Sequence, residues 1–258
     1  MSPISSSAVS SLRSRTGVGI LACKEALEEA KGDEEKAIEL LRKRGIAQAA
    51  KKAARDQAEG LIFLKEQEGK AALLLLRSET DFVARDENFQ TLGKHLTDIL
   101  LSKGQAALES EAAAALPALV QKTGENITIG ETHLVTAPVL GCYLHTNAKI
   151  GVAVGLTGGS RELARDAAMH AAAMNPLYVR PEEAPTDLLV KEREIWVAQL
   201  AKEGKPPNIQ ERIMVGKERK FREEHALLSQ PFAKDPSKTV GQHLGDAEVI
   251  AYLRLSVS

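Results

Sequence analysis

The sequence contains the same order of elements twice, and this repetition limits the folds available to the chain. Each copy has an apolar run, a tight turn, a second apolar run, a polar or glycine-rich loop and an amphipathic helical pattern, over residues 60–101 and 141–174. Two short apolar runs around a turn predict a β-hairpin. The repeat therefore predicts an α+β protein with two related core subdomains, which we place at 56–140 and 141–258.

The N-terminal residues predict a separate helical unit. A short helix around 8–13 and a pattern over 34–44 flank a second helix, and Gly45 predicts the end of the third. The second helix has one apolar face, made by Ile20, Cys23, Leu27 and Ala30. Residues 1–55 are expected to form a three-helix domain and its linker. Its predicted core is so small that we expect this domain to pack against another part of the chain or to bind a partner.

Further helices are predicted in both subdomains. Apolar periodicity indicates helices at about 88–102, 105–122 and 161–174, and Pro117 is expected to interrupt the second of them. His170 lies on the apolar stripe of the third helix. That position favours a packed core histidine over a metal ligand.

Two charged helical patterns follow, at 186–203 and 208–224, and a short Gly-Lys-Pro-Pro connection joins them. Apolar residues recur along the first pattern at Leu189, Trp196 and Leu200. Two helices joined by so short a turn predict an antiparallel helical hairpin at about 186–224, protruding from the second subdomain as a coiled coil.

Composition excludes several classes of protein. The 258 residues carry 34 basic and 35 acidic side chains, so the chain lacks the strong positive charge of a dedicated nucleic-acid binder. A basic run from Arg42 to Arg55 is interpreted as the solvated face of a linker helix. The longest apolar run, at 71–76, is far too short to span a membrane, and the N-terminus lacks the pattern of a signal peptide. Two cysteines form no disulfide framework, and together these features predict a cytoplasmic protein with reduced thiols.

Motif searches give no sign of an enzyme. The Gly-x-Gly-x-x-Ala pattern at 17–22 follows a polar, helix-like segment instead of a strand, so it predicts a helix–helix turn and not a dinucleotide site. There is no phosphate-binding loop of the Gly-x-x-x-x-Gly-Lys-Ser/Thr type, no metal-binding histidine spacing and no nucleophile motif. We expect a protein without bond-making chemistry, without a cofactor or metal and without a nucleotide of its own.

One charged segment, at 79–86, contains two apolar residues that no helix or strand stripe accounts for. Phe82 and Val83 lie between charges, after a predicted strand and before a predicted helix. Two interpretations remain open. The pair could be a hydrophobic staple at the start of the next helix, with Asp86 as the cap. Alternatively, a rigid loop presents an aromatic wedge and a carboxylate to a partner, since burying a Phe is worth about 1.5–3 kcal/mol.

Motifs along almost the whole chain are similar to the bacterial elongation factor Ts family. They include Thr-Gly-Val-Gly-Ile-Leu-Ala-Cys-Lys-Glu-Ala-Leu at 16–27, Gly-Asp-Glu-Glu-Lys-Ala-Ile-Glu-Leu-Leu-Arg-Lys-Arg-Gly at 32–45, Thr-Asp-Phe-Val-Ala at 80–84, Lys-Ile-Gly-Val at 149–152, Ala-Met-His-Ala-Ala at 168–172, Gly-Lys-Pro at 204–206, Gln-Pro-Phe at 230–232 and Asp-Pro-Ser-Lys-Thr-Val-Gly at 235–241. The resemblance implies a guanine-nucleotide exchange factor for elongation factor Tu. It also implies a ubiquitin-associated-like N-terminal domain, a two-part α+β core and a protruding coiled coil.

The resemblance implies specific site residues as well. The family's loop that disturbs the partner's magnesium site corresponds to Thr80, Asp81, Phe82 and Val83. Contacts to the partner's GTPase domain correspond to Arg13, Ile20 and Leu21, and a contact to its other domains corresponds to His145. Longer members of the family continue into a C-terminal helical module, which this sequence is expected to lack. Neither a membrane nor a nucleic acid is an expected partner.

Two other classes of function stay open on the residues alone. The three-helix unit at 1–55 could be an adaptor that binds a ubiquitin-like or ribosome-associated partner by itself. The basic run could bind RNA, with an affinity that falls steeply as salt increases.

Overall fold

The computed structural model describes residues 4–202 and 206–257. The chain begins with helices α1 (Ser6–Thr16), α2 (Ile20–Glu29) and α3 (Glu34–Lys52). Gly17 ends α1 in the left-handed conformation, with φ of 68°, and Gly19 precedes α2, so the 17–22 pattern is the predicted helix–helix turn. The apolar core of this three-helix unit is formed chiefly by Leu12, Val18, Cys23, Leu27 and Leu41.

The first half of the core is a three-stranded antiparallel sheet covered by helices. Its elements are β1 (Glu59–Gln67), β2 (Lys70–Ser78), α4 (Asp81–Ala84), α5 (Glu87–Lys103), α6 (Gln105–Thr123) and β3 (Thr128–Thr136). The strands lie in the order β1-β2-β3, and the predicted hairpin forms with Gln67 opposite Lys70.

The second half repeats the hairpin and helix and closes its sheet with the last strand. Its elements are β4 (Val139–Leu144), β5 (Ile150–Leu156), α7 (Arg161–Met174), α8 (Thr186–Lys202), α9 (Pro207–Glu224), β6 (Pro231–Phe232), β7 (Asp235–Thr239), α10 (Val240–Leu244) and β8 (Val249–Ser256). The sheet order is β4-β5-β8, and a 3-10 turn at Pro181–Glu183 precedes α8.

The two sheets pack face to face, which explains the continuous apolar run in β2. Successive side chains of a strand point to opposite faces. Leu73 and Leu75 therefore enter the core between the sheets, together with Ile62, Val135, Leu140, Ala153 and Leu255. Leu74 and Leu76 pack under α5 and α6, where Phe89, Leu96 and Leu108 lie. Both faces of β2 are buried, so its sequence shows no polar alternation.

The helical hairpin is present as predicted in its two helices. Leu189, Trp196 and Leu200 are buried, and the ring of Trp196 meets Phe221 edge-on with 5.7 Å between ring centroids. Arg193 donates from Nε to Glu218 across the pair at 2.7 Å. Part of the predicted connection, residues 203–205, lies outside the described residues.

Two predicted helix boundaries are wrong, and one crossing explains both. The third helix continues past Gly45 to Lys52, and α6 runs through Pro117 without a break. A Cβ added to Gly45 would lie 3.0 Å from the carbonyl oxygen of Pro117, so the backbones of α3 and α6 approach closely here. Tertiary packing of this kind overrides the local helix-breaking tendency of both residues.

His170 is the packed core histidine that the sequence predicts. It is 1% exposed, its Nε2 is 2.9 Å from Gln230 Oε1, and its Nδ1 accepts the backbone N–H of Ala233. Burial lowers the pKa of His170, and the hydrogen bond to Gln230 partly opposes that change. Among residues 4–202 and 206–257, no helix combines the length and the apolar character that crossing a membrane requires.

Candidate partner interface

The segment after β2 is a single helical turn instead of the loop expected from its sequence. Thr80 caps this turn, and its hydroxyl accepts the backbone N–H of Val83 at 3.4 Å. Phe82 points outward and is 81% exposed, whereas Val83 packs against the core under α5 and α6. Neighbouring residues on a helix point about 100° apart, so the turn sends the two apolar side chains in different directions.

The staple interpretation is right about the cap and wrong about the aromatic ring. Asp86 caps α5, since its carboxylate accepts the backbone N–H groups of Asn88 and Phe89 at 2.8 and 3.3 Å. Partial burial by itself raises the pKa of Asp86, but these hydrogen bonds and one from the Asn88 side chain bring the pKa below its usual value. Phe82 takes no part in this packing because it faces away from the helix core.

Asp81 lies at the edge of a groove that joins the two halves of the core. Its carboxylate pairs with Arg85 at 2.9 Å. The groove has a volume of about 570 Å³, and Asp81, Ala84 and Arg85 form one wall. The last residue of β4, Leu144, and residues 146–149 in the turn after it also line this groove.

His145 lies in that same turn and is exposed. Its backbone N–H donates to the carbonyl of Ile150 at 2.9 Å, and its Nδ1 is 3.1 Å from the hydroxyl of Tyr143. Leu144 and Thr146, on either side of His145, line the same groove as Asp81. The role of His145 as a partner contact stays a prediction.

The predicted contacts of the N-terminal unit are also on the surface. Ile20 and Leu21 are 56% and 70% exposed, and Arg13 and Ile20 line one groove of about 700 Å³. Ile20 belongs to the apolar face predicted for α2, but its side chain is exposed. It is the first residue of the helix, and the buried face begins one turn later, at Cys23.

One lysine connects the N-terminal unit to the start of α5. The Nζ of Lys122, on α6, donates to Asn88 Oδ1 at 2.7 Å. The same Nζ would lie 2.8 Å from a Cβ added to Gly17, so the turn between α1 and α2 rests on this side chain. Gly17, in the turn before α2, and Asn88, in the first turn of α5, therefore both lie next to the Lys122 ammonium group.

Comparison with known proteins identifies the family. The family model described as "Elongation factor TS" matches residues 79–258, more than two thirds of the chain. The chain belongs to the elongation factor Ts family. Its match starts one residue before Thr80, so it includes the Phe82 turn and His145 but not the three-helix unit.

Relatives in the elongation factor Ts family extend the similarity to the N-terminus. "Elongation factor Ts" of Marinobacter nauticus is 44% identical over 265 residues, which cover 100% of this chain and 92% of that protein. The proteins of the same name from Francisella tularensis subsp. novicida and Aeromonas salmonicida are 44% and 42% identical over 269 residues, covering 100% of this chain and 93% and 92% of theirs. Membership in the elongation factor Ts family makes the chain a translation elongation factor.

Much of the basic run is engaged within the chain. Arg44 pairs with Glu29 at 2.5 Å, Arg55 with Glu79 at 3.3 Å, and Lys52 Nζ donates to the carbonyl of Gly124 at 2.5 Å. In the described part of this elongation factor Ts family member, no group of three or more His, Cys, Asp or Glu side chains could hold a metal ion.

The residue that sequence reasoning missed is Glu125. Its carboxylate accepts three hydrogen bonds from Glu79 and Thr80, although it lies 45 residues after Thr80 in the chain. The local sequence shows only an acidic residue between a helix-ending glycine and a strand. No periodicity or motif signal reports a contact over that distance.

Proposed function

We propose that this protein is a cytoplasmic guanine-nucleotide exchange factor, and that it accelerates release of GDP from elongation factor Tu so that GTP can bind. The observation that carries the proposal is the exposed ring of Phe82 on a turn whose neighbours are held in place. Membership in the elongation factor Ts family supports the same function. The exposed residues Ile20 and Leu21 give a second point of contact.

Exchange of this kind requires no bond-making residue. The factor binds the nucleotide-free partner more tightly than the loaded one, and the coupling is reciprocal, so nucleotide weakens factor binding by the same ratio. Each tenfold loss of nucleotide affinity requires about 1.4 kcal/mol of differential binding. The partner binds the nucleotide and the magnesium ion and supplies the phosphate-binding loop. This accounts for the lack of a phosphate-binding motif in the present chain.

The proposed roles are those that the family resemblance implies, and the exposure of Phe82, Ile20 and Leu21 supports them. Phe82 wedges between side chains of the GTPase domain and shifts the helix that supports magnesium, while Asp81 competes for donors near the cation. Thr80 and Val83 fix the turn from the inner side. Arg13, Ile20 and Leu21 hold the GTPase domain, and His145 faces the partner's other domains. The N-terminal unit acts as a ubiquitin-associated-like domain, and the helical hairpin protrudes as a coiled coil.

The test is stopped-flow release of fluorescent GDP from elongation factor Tu, with and without this protein. The native chain should accelerate release. Phe82→Ala should slow release about tenfold or more at subsaturating factor, since the buried ring contributes about 1.5–3 kcal/mol. Ile46→Ala is the matched control because Ile46 is also exposed, on α3, and belongs to none of the proposed contacts.

Two results would contradict the proposal. If the native chain leaves the release rate unchanged, it is not an exchange factor for this partner. If the Phe82→Ala variant accelerates GDP release from elongation factor Tu as much as the native chain and the Ile46→Ala control do, and the melting temperatures are unchanged, the wedge role of Phe82 is wrong.

A further inference from the structure

The turn that carries Phe82 is too short to hold its own conformation. It is four residues long, and one helical turn is unstable in water without outside contacts. Its N-terminus also leaves backbone N–H groups without helical partners. An exposed aromatic ring can act as a wedge only if the backbone beneath it keeps one orientation.

One side chain supplies the missing contacts from outside the turn. Glu125 Oε2 accepts the backbone N–H groups of Glu79 and Thr80 at 3.1 and 3.0 Å, and its Oε1 accepts the Thr80 hydroxyl at 2.6 Å. The Thr80 hydroxyl in turn accepts the Val83 N–H. A hydrogen-bond chain therefore runs from Glu125 through Thr80 into the turn, and we call it the Glu125 clasp.

The segment around Glu125 is anchored on its other side to the linker that leaves the three-helix unit. The side chain of Asn126 donates to the carbonyl of Arg55 at 3.0 Å, and Lys52 donates to the carbonyl of Gly124. The backbone N–H of Asn126 donates to Glu79 at 2.6 Å. The clasp thus connects the Phe82 turn to a segment that is itself held by hydrogen bonds on both sides of Glu125, at Gly124 and at Asn126.

We propose that Glu125 is a positioning residue for nucleotide exchange, which holds the Phe82 turn in the orientation that inserts into the partner. This inference rests on the proposed function and names a residue outside the predicted site. Glu125 acts through Thr80 and does not need to touch the partner. Its loss should lower the rate of the insertion step while leaving initial docking through the other contacts intact.

The first experiment measures the turn without any partner. Amide hydrogen exchange of residues 79–84 should speed up in Glu125→Ala and remain near native in Glu125→Gln. Glutamine keeps one oxygen for the two backbone N–H groups and can donate to the Thr80 oxygen. The control is Glu131→Ala, which removes a carboxylate from an exposed position on β3. Native protection of the turn in Glu125→Ala would overturn the clasp.

The second experiment measures GDP release from elongation factor Tu over a range of factor concentrations. If the aligned orientation falls to about a tenth of the population, the rate at saturating factor should fall about tenfold in Glu125→Ala. The half-saturating concentration should stay within about twofold, and Glu125→Gln should restore the rate. A loss of stability alone would lower the active fraction instead, which melting temperatures and the half-saturating concentration would reveal.

The outcomes separate this inference from the function on which it rests. If the native chain does not accelerate release, the proposed exchange function fails, and the hydrogen-exchange result still decides whether Glu125 holds the turn. If the native chain accelerates release and Glu125→Ala does so equally at saturation, the exchange function stands and Glu125 has no positioning role.

Discussion

Phe82 and Val83 show how two adjacent apolar residues take opposite roles. The sequence predicts that this pair is unusual, because charges surround it and no stripe includes it. It does not predict which residue faces outward, since that depends on the helical turn capped by Thr80. The partner of Thr80, Glu125, comes from a distant part of the chain and so could not be predicted from local pattern.

Glu79, next to this turn, gives a pH-dependent prediction. The backbone N–H of Asn126 lowers the pKa of Glu79 most, partial burial opposes this, and Arg55 lowers it further, so the net pKa lies below the usual 4.5. A carboxylate with a lowered folded-state pKa stabilises the fold above its unfolded-state pKa and loses that contribution as the pH falls through the folded-state pKa. The native chain should therefore exceed Glu79→Gln in free energy of unfolding by a constant amount above pH 4.5.

Urea unfolding of both proteins at a series of pH values checks this prediction. The difference between them should shrink as the pH falls below 4.5. Other carboxylates with lowered pKa values, such as Asp166 and Glu218, are present in both proteins and cancel in the comparison. A difference that stays constant, or grows on acidification, would contradict the assignment.

At the scale of single elements, periodicity and turn residues predict most of the helices and strands. The boundaries at Gly45 and Pro117 are wrong because the contact between α3 and α6 decides them, and neither segment reports that contact locally. The same reasoning applies to the helical glycines. Their effect depends on what lies opposite them, which only the packed structure shows.

Two helical glycines make a matched pair of substitutions. A Cβ on Gly93, in α5, would lie 2.2 Å from the buried ring of Phe63, whereas a Cβ on Gly216, in α9, would meet nothing within 4 Å. Overpacking costs about 1–3 kcal/mol, and replacing a helical glycine by alanine gains up to about 1 kcal/mol. Gly93→Ala should lower the free energy of unfolding, and Gly216→Ala should raise it slightly.

Thermal and urea unfolding of the two variants beside the native chain give the measurement. Changes of opposite sign in the free energy of unfolding of the two variants support the packing described between α5 and β1. Equal stabilisation by both substitutions would mean that Phe63 moves aside without cost, in disagreement with its burial.

At the scale of the whole molecule, the order of elements predicts the α+β class and the repeated hairpin and helix. It does not predict that the sheets pack on each other. The apolar run in β2 is compatible with any strand buried on both faces, and only the packed inner face of Leu73 and Leu75 identifies its neighbour. The relative placement of the three-helix unit depends on the packing of α3 against α6 at Gly45 and Pro117, a contact that carries no local signal in the sequence.

Arg13 tests whether the three-helix unit contributes binding at a distance from the Phe82 turn. If the proposed contacts are right, Arg13→Ala should weaken formation of the complex with elongation factor Tu severalfold and leave the release rate at saturating factor near native, because the proposed Phe82 wedge is unchanged. Arg42→Ala is the matched control, since Arg42 is exposed on α3 of the same unit. Titration by calorimetry measures the affinity, and equal binding by all three proteins would remove Arg13 from the interface.

The unbroken helix α3 bears on which of the two proteins changes shape when the proposed complex forms. It runs from the three-helix unit onto α6, and Lys122 supports the neighbouring turn, so the spacing between the two contact regions is set within the factor itself. Under the proposed exchange mechanism, any mismatch between that spacing and the nucleotide-loaded partner must then deform the partner. If a flexible linker joined the two contact regions, the factor would adjust its own shape instead, and the GDP pocket of the partner would stay closed.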